Sequence, residues 1–172
     1  MKNLLCSLVF VGLLFSATVH ALTDPQVKPA DPFTGTWKLS VQKSRYPRGL
    51  CPKSMVIVME PAGDGVHYRS ETTYANGNTT SADYTADYKG KEAIVMGYTG
   101  LLLPVSLKRL DAHTVVANYK RGSAVVARSR RVVSGDGRVM TITTTSPDKS
   151  GKEVTSIGVY DKADKTAAVA KP

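Results

Sequence analysis

Cysteine is nearly absent from this chain. Of the two in 172 residues, Cys6 lies in an N-terminal apolar run and Cys51 stands alone after it. Once that run is removed no intrachain disulfide is possible, so the fold must rest on a packed core. Histidine is as scarce, and neither His67 nor His113 has metal-ligand spacing to another His or Cys. There is no Gly-x-Ser-x-Gly and no phosphate-binding glycine loop. Asp83 and Asp87 share a strand face, but the strand between them holds them about 13 Å apart. That is wider than the carboxylate pairs of glycosidases. These absences leave no catalytic residue, no metal ligand set and no cofactor to name. Cys51, set between Leu50 and Pro52 with no His or Asp beside it, reads as a plain, partly buried thiol.

The one long apolar run is Leu4 to Phe15, preceded by Lys2 and followed by Ser16-Ala17-Thr18-Val19-His20-Ala21. A positive start, an apolar centre and a small-residue site make a secretory signal peptide. Residues 1–21 are therefore expected to be removed after Ala21, giving a periplasmic or secreted protein. The run is short for a membrane span. Residues 22–32 (LTDPQVKPADP) hold three prolines and no period, as a linker does. One domain over 33–162 and a flexible tail over 163–172 complete the reading.

Acids are in deficit. Lys and Arg number 23 against 14 Asp and Glu, a net charge of +9, but the excess is dispersed. Dispersed charge keeps a surface soluble; a nucleic-acid site would need a patch interleaved with aromatics. Anionic ligands or an anionic envelope surface are modestly favoured.

What is present is alternation. Gly35-Thr36-Trp37-Lys38-Leu39-Ser40-Val41 sets Trp37, Leu39 and Val41 against Thr36, Lys38 and Ser40, the period of a half-buried strand. It holds the only Trp. Phe33 and Trp37 are expected to close one end of a core, with Gly35 allowing a bend or a close approach. Further strands follow at 54–60, 66–74, 79–88, 93–98, 105–110, 114–120, 124–133, 139–145 and 154–161. Turns such as Gly63-Asp64-Gly65, Asn76-Gly77 and Lys89-Gly90-Lys91 separate them. Regular hairpins without a covering helix predict an all-β, up-and-down antiparallel β-barrel of about 8–10 strands. Charged outward positions (His67, Arg69, Glu71, Asp83, Asp87, Arg128, Arg130) argue against lipid contact around that barrel.

Phe33-Thr34-Gly35-Thr36-Trp37-Lys38-Leu39 resembles the first-strand signature of the calycins, the lipocalins and fatty-acid-binding proteins. With Lys43-Ser44-Arg45-Tyr46 and Arg130-Arg131-Val132-Val133-Ser134-Gly135-Asp136-Gly137-Arg138, the pattern resembles secreted, uncharacterised bacterial lipocalin-like proteins over roughly Phe33 to Lys162. The resemblance implies a barrel with an internal apolar cavity. It also implies that a late-strand Arg, here Arg131, packs over Trp37. Two departures stand out. Residues 42–53 are too short and proline-rich for the helical lid of fatty-acid-binding proteins. Their last-strand Arg-x-Tyr reads Gly158-Val159-Tyr160 here.

The inward face so assigned is rich in small residues, Ser70, Thr72, Ala82, Ala86, Ala117, Ala127, Ser129, Ser156 and Gly158 among them. Either they leave a lumen or the tyrosines fill it. Tyr68, Tyr84, Tyr88, Tyr119 and Tyr160 are the ligand-facing candidates, together with Arg109, Ala127 and Ser129. Trp37, Gly35 and Arg131 are the structural candidates. Arg109 faces inward with no visible acid, so it either anchors an anion or reaches water. The leading reading is a carrier of a small hydrophobic or amphipathic molecule, without chemistry. The alternative is a filled envelope barrel binding a protein or polymer through its rim loops. A barrel-type isomerase or cyclase comes third. No nucleic-acid partner is expected. The mature protein should begin at Leu22; N-terminal sequencing of exported material that finds Met1 intact would refute the signal peptide.

Overall fold

The computed structural model describes residues 30–97, 100–148 and 150–163. The expected signal peptide, the linker up to residue 29 and the tail from residue 164 lie outside the described residues.

Twelve strands form: β1 (Gly35–Leu39), β2 (Ser54–Ala62), β3 (Gly65–Thr73), β4 (Thr79–Asp87), β5 (Lys89–Ala93), β6 (Met96–Gly97), β7 (Gly100–Leu101), β8 (Val105–Asp111), β9 (Thr114–Arg121), β10 (Ala124–Val133), β11 (Val139–Pro147) and β12 (Glu153–Ala163). They make one antiparallel sheet in the order β5-β8-β9-β10-β11-β12-β1-β2-β3-β4-β6-β7. The sheet curls until its two halves touch: the Tyr84 hydroxyl on β4 lies 2.9 Å from the Arg131 guanidinium on β10. Residues 41–43 make one 3-10 turn where a lid helix would need far more chain. No helix among the described residues is long and apolar enough to cross a membrane.

The strand count exceeds the expected 8–10 because the segment after β4 was misread. Lys89-Gly90-Lys91, expected as a turn, opens β5 instead. Its polar sequence hides it: β5 is an edge of the ladder, paired with β8 alone and exposed at Lys89 through Glu92. Edge strands tolerate such lysines. Gly90, at φ 94°, and a register shift between Lys89 and Glu92 take up the corner. The expected strand over 93–98 is reduced to the short β6, which pairs with β4 only at Asp83 and Met96.

Alternation elsewhere places the side chains as read. Val66, Tyr68, Tyr84, Ala86, Val115 and Ala117 are buried on the concave face. Arg69, Glu71, Asp83, Arg128 and Arg130 are exposed on the convex one. The ends of the barrel differ in their connections. The β2–β3, β8–β9 and β10–β11 turns, the corner at Tyr88 and both ends of the described chain gather at the base. The segments 45–53, 74–78, 94–97, 102–104 and 122–123, with residues 148 and 150–152, gather at the mouth.

The base is closed by Phe33 and Trp37, both buried, and the indole Nε1 donates to the Phe33 carbonyl at 2.9 Å. The cation over Trp37 is not Arg131. It is Lys162 from β12, with Nζ 4.8 Å from the ring centroid, also donating to the Pro32 carbonyl. β12 pairs with β1 at Trp37 and Lys162, so the last strand delivers a cation there before a more distant β10 can. Gly35 has φ 133°, and a Cβ on it would sit 2.7 Å from Lys162 Cε. Both the backbone and the approach therefore call for glycine. Arg109 has an acid after all. It pairs with Asp31, from the end of the linker, and lies over the rings of Tyr88 (4.0 Å) and Phe33 (5.4 Å).

With its ring wholly buried, Trp37→Ala should cost about 3–5 kcal/mol in chemical denaturation. A loss below about 1 kcal/mol, the scale of surface changes, would show that the base does not depend on it.

Candidate ligand cavity

Above the base, the inner wall of β2, β3 and β4 does not fill the barrel. Ser70, Thr72 and Ala82 are too small to reach the opposite wall, and a cavity of about 420 Å³ remains. Met55, Val95, Leu102 and Leu103 give it an apolar side, and Tyr68, Tyr84 and Tyr119 line another. The cavity lies under the 94–97 and 102–104 stretches of the β5–β8 connection, at the mouth. Within that connection Val95 is buried and Leu102 stays partly open to solvent.

Behind the tyrosines stands Arg131. The alternation of β10 turns it inward, opposite Val115 on β9 and Ile142 on β11, and it is buried. Its Nη2 donates to the Tyr84 hydroxyl at 2.9 Å and to the Tyr119 hydroxyl at 3.2 Å. Its guanidinium carbon lies 4.9 Å from the Tyr68 ring centroid, and Tyr68 stacks on Tyr84 with centroids 4.7 Å apart. No carboxylate pairs with Arg131 among the described residues, and its Nε has no hydrogen-bond partner there.

The electrostatics follow from burial. Desolvation pushes the phenols of Tyr68 and Tyr84 above their ordinary value, and the Arg131 charge offsets only part of that. Both stay neutral. Burial works against the Arg131 charge, while the Tyr84 and Tyr119 hydroxyls that accept from its guanidinium favour the charged form, which an arginine keeps. A phenol oxygen that accepts from Arg131 still has its own O–H to donate. Tyr84 and Tyr119 can therefore offer that proton to an acceptor in the cavity, with a positive charge behind it.

The other candidates lie elsewhere. Tyr88 and Arg109 are at the base, in the Asp31 cluster. Burial first, and the Asp31 charge second, push the Tyr88 phenol up to about 12. Tyr160 is buried below the cavity and donates to Met55 Sδ at 3.2 Å. Tyr46 bonds to Tyr160. A Cβ on Gly158 would lie 2.7 Å from the Tyr46 hydroxyl and 2.8 Å from the Tyr160 ring. The space of a last-strand Arg is thus occupied by two tyrosines. Ser129 is buried and shares a 2.7 Å hydrogen bond with Thr144; Ala127 is half-buried opposite Tyr119, and neither lines the cavity. The sequence reading missed Met55, Val95 and Leu102 as wall residues. Their signal was the apolar character of 54–60 and 93–104, in which strands over 54–60 and 93–98 show no alternation that would mark one face as a cavity wall.

No family model matches this chain, and no curated protein matches it. Among solved structures, the chain is similar to the zebrafish ileal bile acid-binding protein complexed with cholic acid. The TM-score is 0.52 at 14% identity, over 77% of this chain and 99% of that one. At that identity the likeness is one of fold alone: a curled, antiparallel, up-and-down β-barrel.

Proposed function

We propose that this chain is an exported carrier that buries one small amphipathic molecule in the 420 Å³ cavity and does no chemistry on it. Met55, Val95, Leu102 and Leu103 would cover the apolar body. The Tyr84 and Tyr119 hydroxyls, with Arg131 behind them, would meet an acceptor or an anionic group at the other end. The observation that carries this reading is the buried Arg131: a guanidinium without a carboxylate, whose two phenol partners face the empty volume. The volume is in the range of small-molecule sites, roughly 300–1,000 Å³. The bile acid held by the structural neighbour supports the same reading by analogy of fold. Export, and kinship with secreted bacterial lipocalin-like proteins, rest on the N-terminal run and on the Gly35-Thr36-Trp37 and Arg130–Arg138 stretches.

Two substitutions test it by titration of a fluorescent probe. Arg131→Met keeps volume and removes the charge. It should weaken a sulfonate-bearing probe by tenfold or more, since hydrogen bonds to charged groups contribute about 1.5–3 kcal/mol. A neutral probe should be little affected. Stability should hold or rise, as when buried ions give way to packed apolar groups. Equal losses for both probes would remove Arg131 from the site. Ala82→Trp should fill the cavity and abolish saturable binding of either probe. If the parent binds neither probe, the rim-binding alternative takes over.

A further inference from the structure

The two ends of the barrel differ in what they expose. Large apolar side chains are exposed chiefly at the mouth: Ile94 (68%), Met96 (52%), Leu50, Leu102 and Val125. At the base only Leu110 matches them; Val41, the other exposed one, sits partway up beside β12. Ile94 and Met96 flank Val95, which is buried in the cavity wall, so one short segment faces the cavity with one residue and solvent with its neighbours. Around this apolar lip cations outnumber acids, Asp148 being the one acid of the mouth segments. Residues 45–53 carry Arg45, Arg48 and Lys53 and no acid, the 122–123 turn adjoins Arg121, and 93–104 carry no charge at all. None of these four cations is in an ion pair among the described residues. The base mixes signs: Asp64, Asp87, Asp111 and Asp136 stand in its turns and corner with Lys89, Arg109, Arg138 and Lys162 beside them.

We infer that the mouth docks on an anionic phospholipid surface, with Ile94, Met96 and Leu102 entering the interfacial layer and Arg45, Arg48, Lys53 and Arg121 meeting headgroups. An apolar lip ringed by cations fits a surface that is anionic outside and apolar beneath. A soluble polyanion would leave the lip bare. A second copy meeting the same face across a two-fold axis would bring cations against cations. The inference goes beyond carriage of a ligand and does not depend on it.

The test is flotation of the purified protein with phosphatidylcholine vesicles, with and without phosphatidylglycerol, at low and high salt. Leu4 to Phe15 is itself apolar, so every variant is compared with a parent carrying the same N-terminus. The parent should bind phosphatidylglycerol vesicles at low salt and leave them at high salt. Arg48→Glu and Arg121→Glu should each lower binding by about fivefold or more. Ile94→Ser with Met96→Ser should lower it by about tenfold or more. Leu110→Ser at the base should change nothing, and Ala82→Trp should abolish probe binding while leaving vesicle binding intact. These residues are exposed except Ala82, and unchanged thermal unfolding verifies each fold. No vesicle binding, equal binding to both vesicle types, or equal loss in Leu110→Ser would overturn the inference. So would a dimer that Ile94→Ser with Met96→Ser dissolves in a protein that ignores vesicles, which would make the lip a contact between copies.

Discussion

Everything in this barrel hangs on β1 being hydrogen-bonded along both of its edges. One edge pairs with β12, matching Thr36 to Ala163, and the other with β2, matching Gly35 to Met59. Without that strand the ladder falls into two sheets, β5 with β8 to β12 and β2 to β4 with β6 and β7. The requirement explains why the strand is short, carries the only Trp and begins on a glycine. Trp37 must pack under both halves at once, and Lys162 must pass close over its first residue. It also joins the ends of the chain, so the ladder cannot be completed until the last strand is present. Such long-range pairing makes folding slow by topology.

Two buried or half-buried arginines show how differently one residue type is used. Arg109 is neutralised by Asp31 and clamped between two rings, so its charge ends where it begins. Arg131 is buried more deeply and meets only phenols. A lone buried ion costs several kcal/mol even after relaxation. A ring face returns about 2 kcal/mol when desolvated, and two hydroxyls return more. A carboxylate would have offset the cost more fully and cancelled the field. With tyrosines in its place, the cation stays satisfied on one side and its field still reaches the cavity.

Which parts of this were legible in the sequence follows from range. Alternation and turn chemistry are local, so the strands around Tyr68, Tyr84, Val115 and Arg131 and the burial of Phe33 and Trp37 could be read directly. Pairing across the barrel is not local. Nothing near Arg131 says that its rings come from β3, β4 and β9, and nothing near Trp37 says that its cation arrives from Lys162 at the far end of the chain. Asp31 sits in a stretch that reads as linker, so its pairing with Arg109 was invisible. β5 was hidden because an edge strand need not alternate. The cavity was half visible: its small residues could be listed, but whether tyrosines filled the gap depended on which way those rings lean.

The charge difference between the ends separates what turns require from what they do not. At the base, Asp87, Asp111 and Asp136 each accept the N–H of the residue two positions on, and these bonds define the turns. Acids there follow from backbone geometry alone. At the mouth the same device recurs, Asn76 and Asp148 each accepting the N–H two positions on, and Gly122 carries the positive φ of a third turn. Arg45, Arg48, Lys53 and Arg121 close no turn, and no core position calls for an exposed Ile94 or Met96. Local structure accounts for the turn-making Asp and Asn at both ends and leaves the cations and exposed apolar side chains of the mouth without a folding reason. The opening above Arg131 is therefore where selection for something outside the chain has the most room to show.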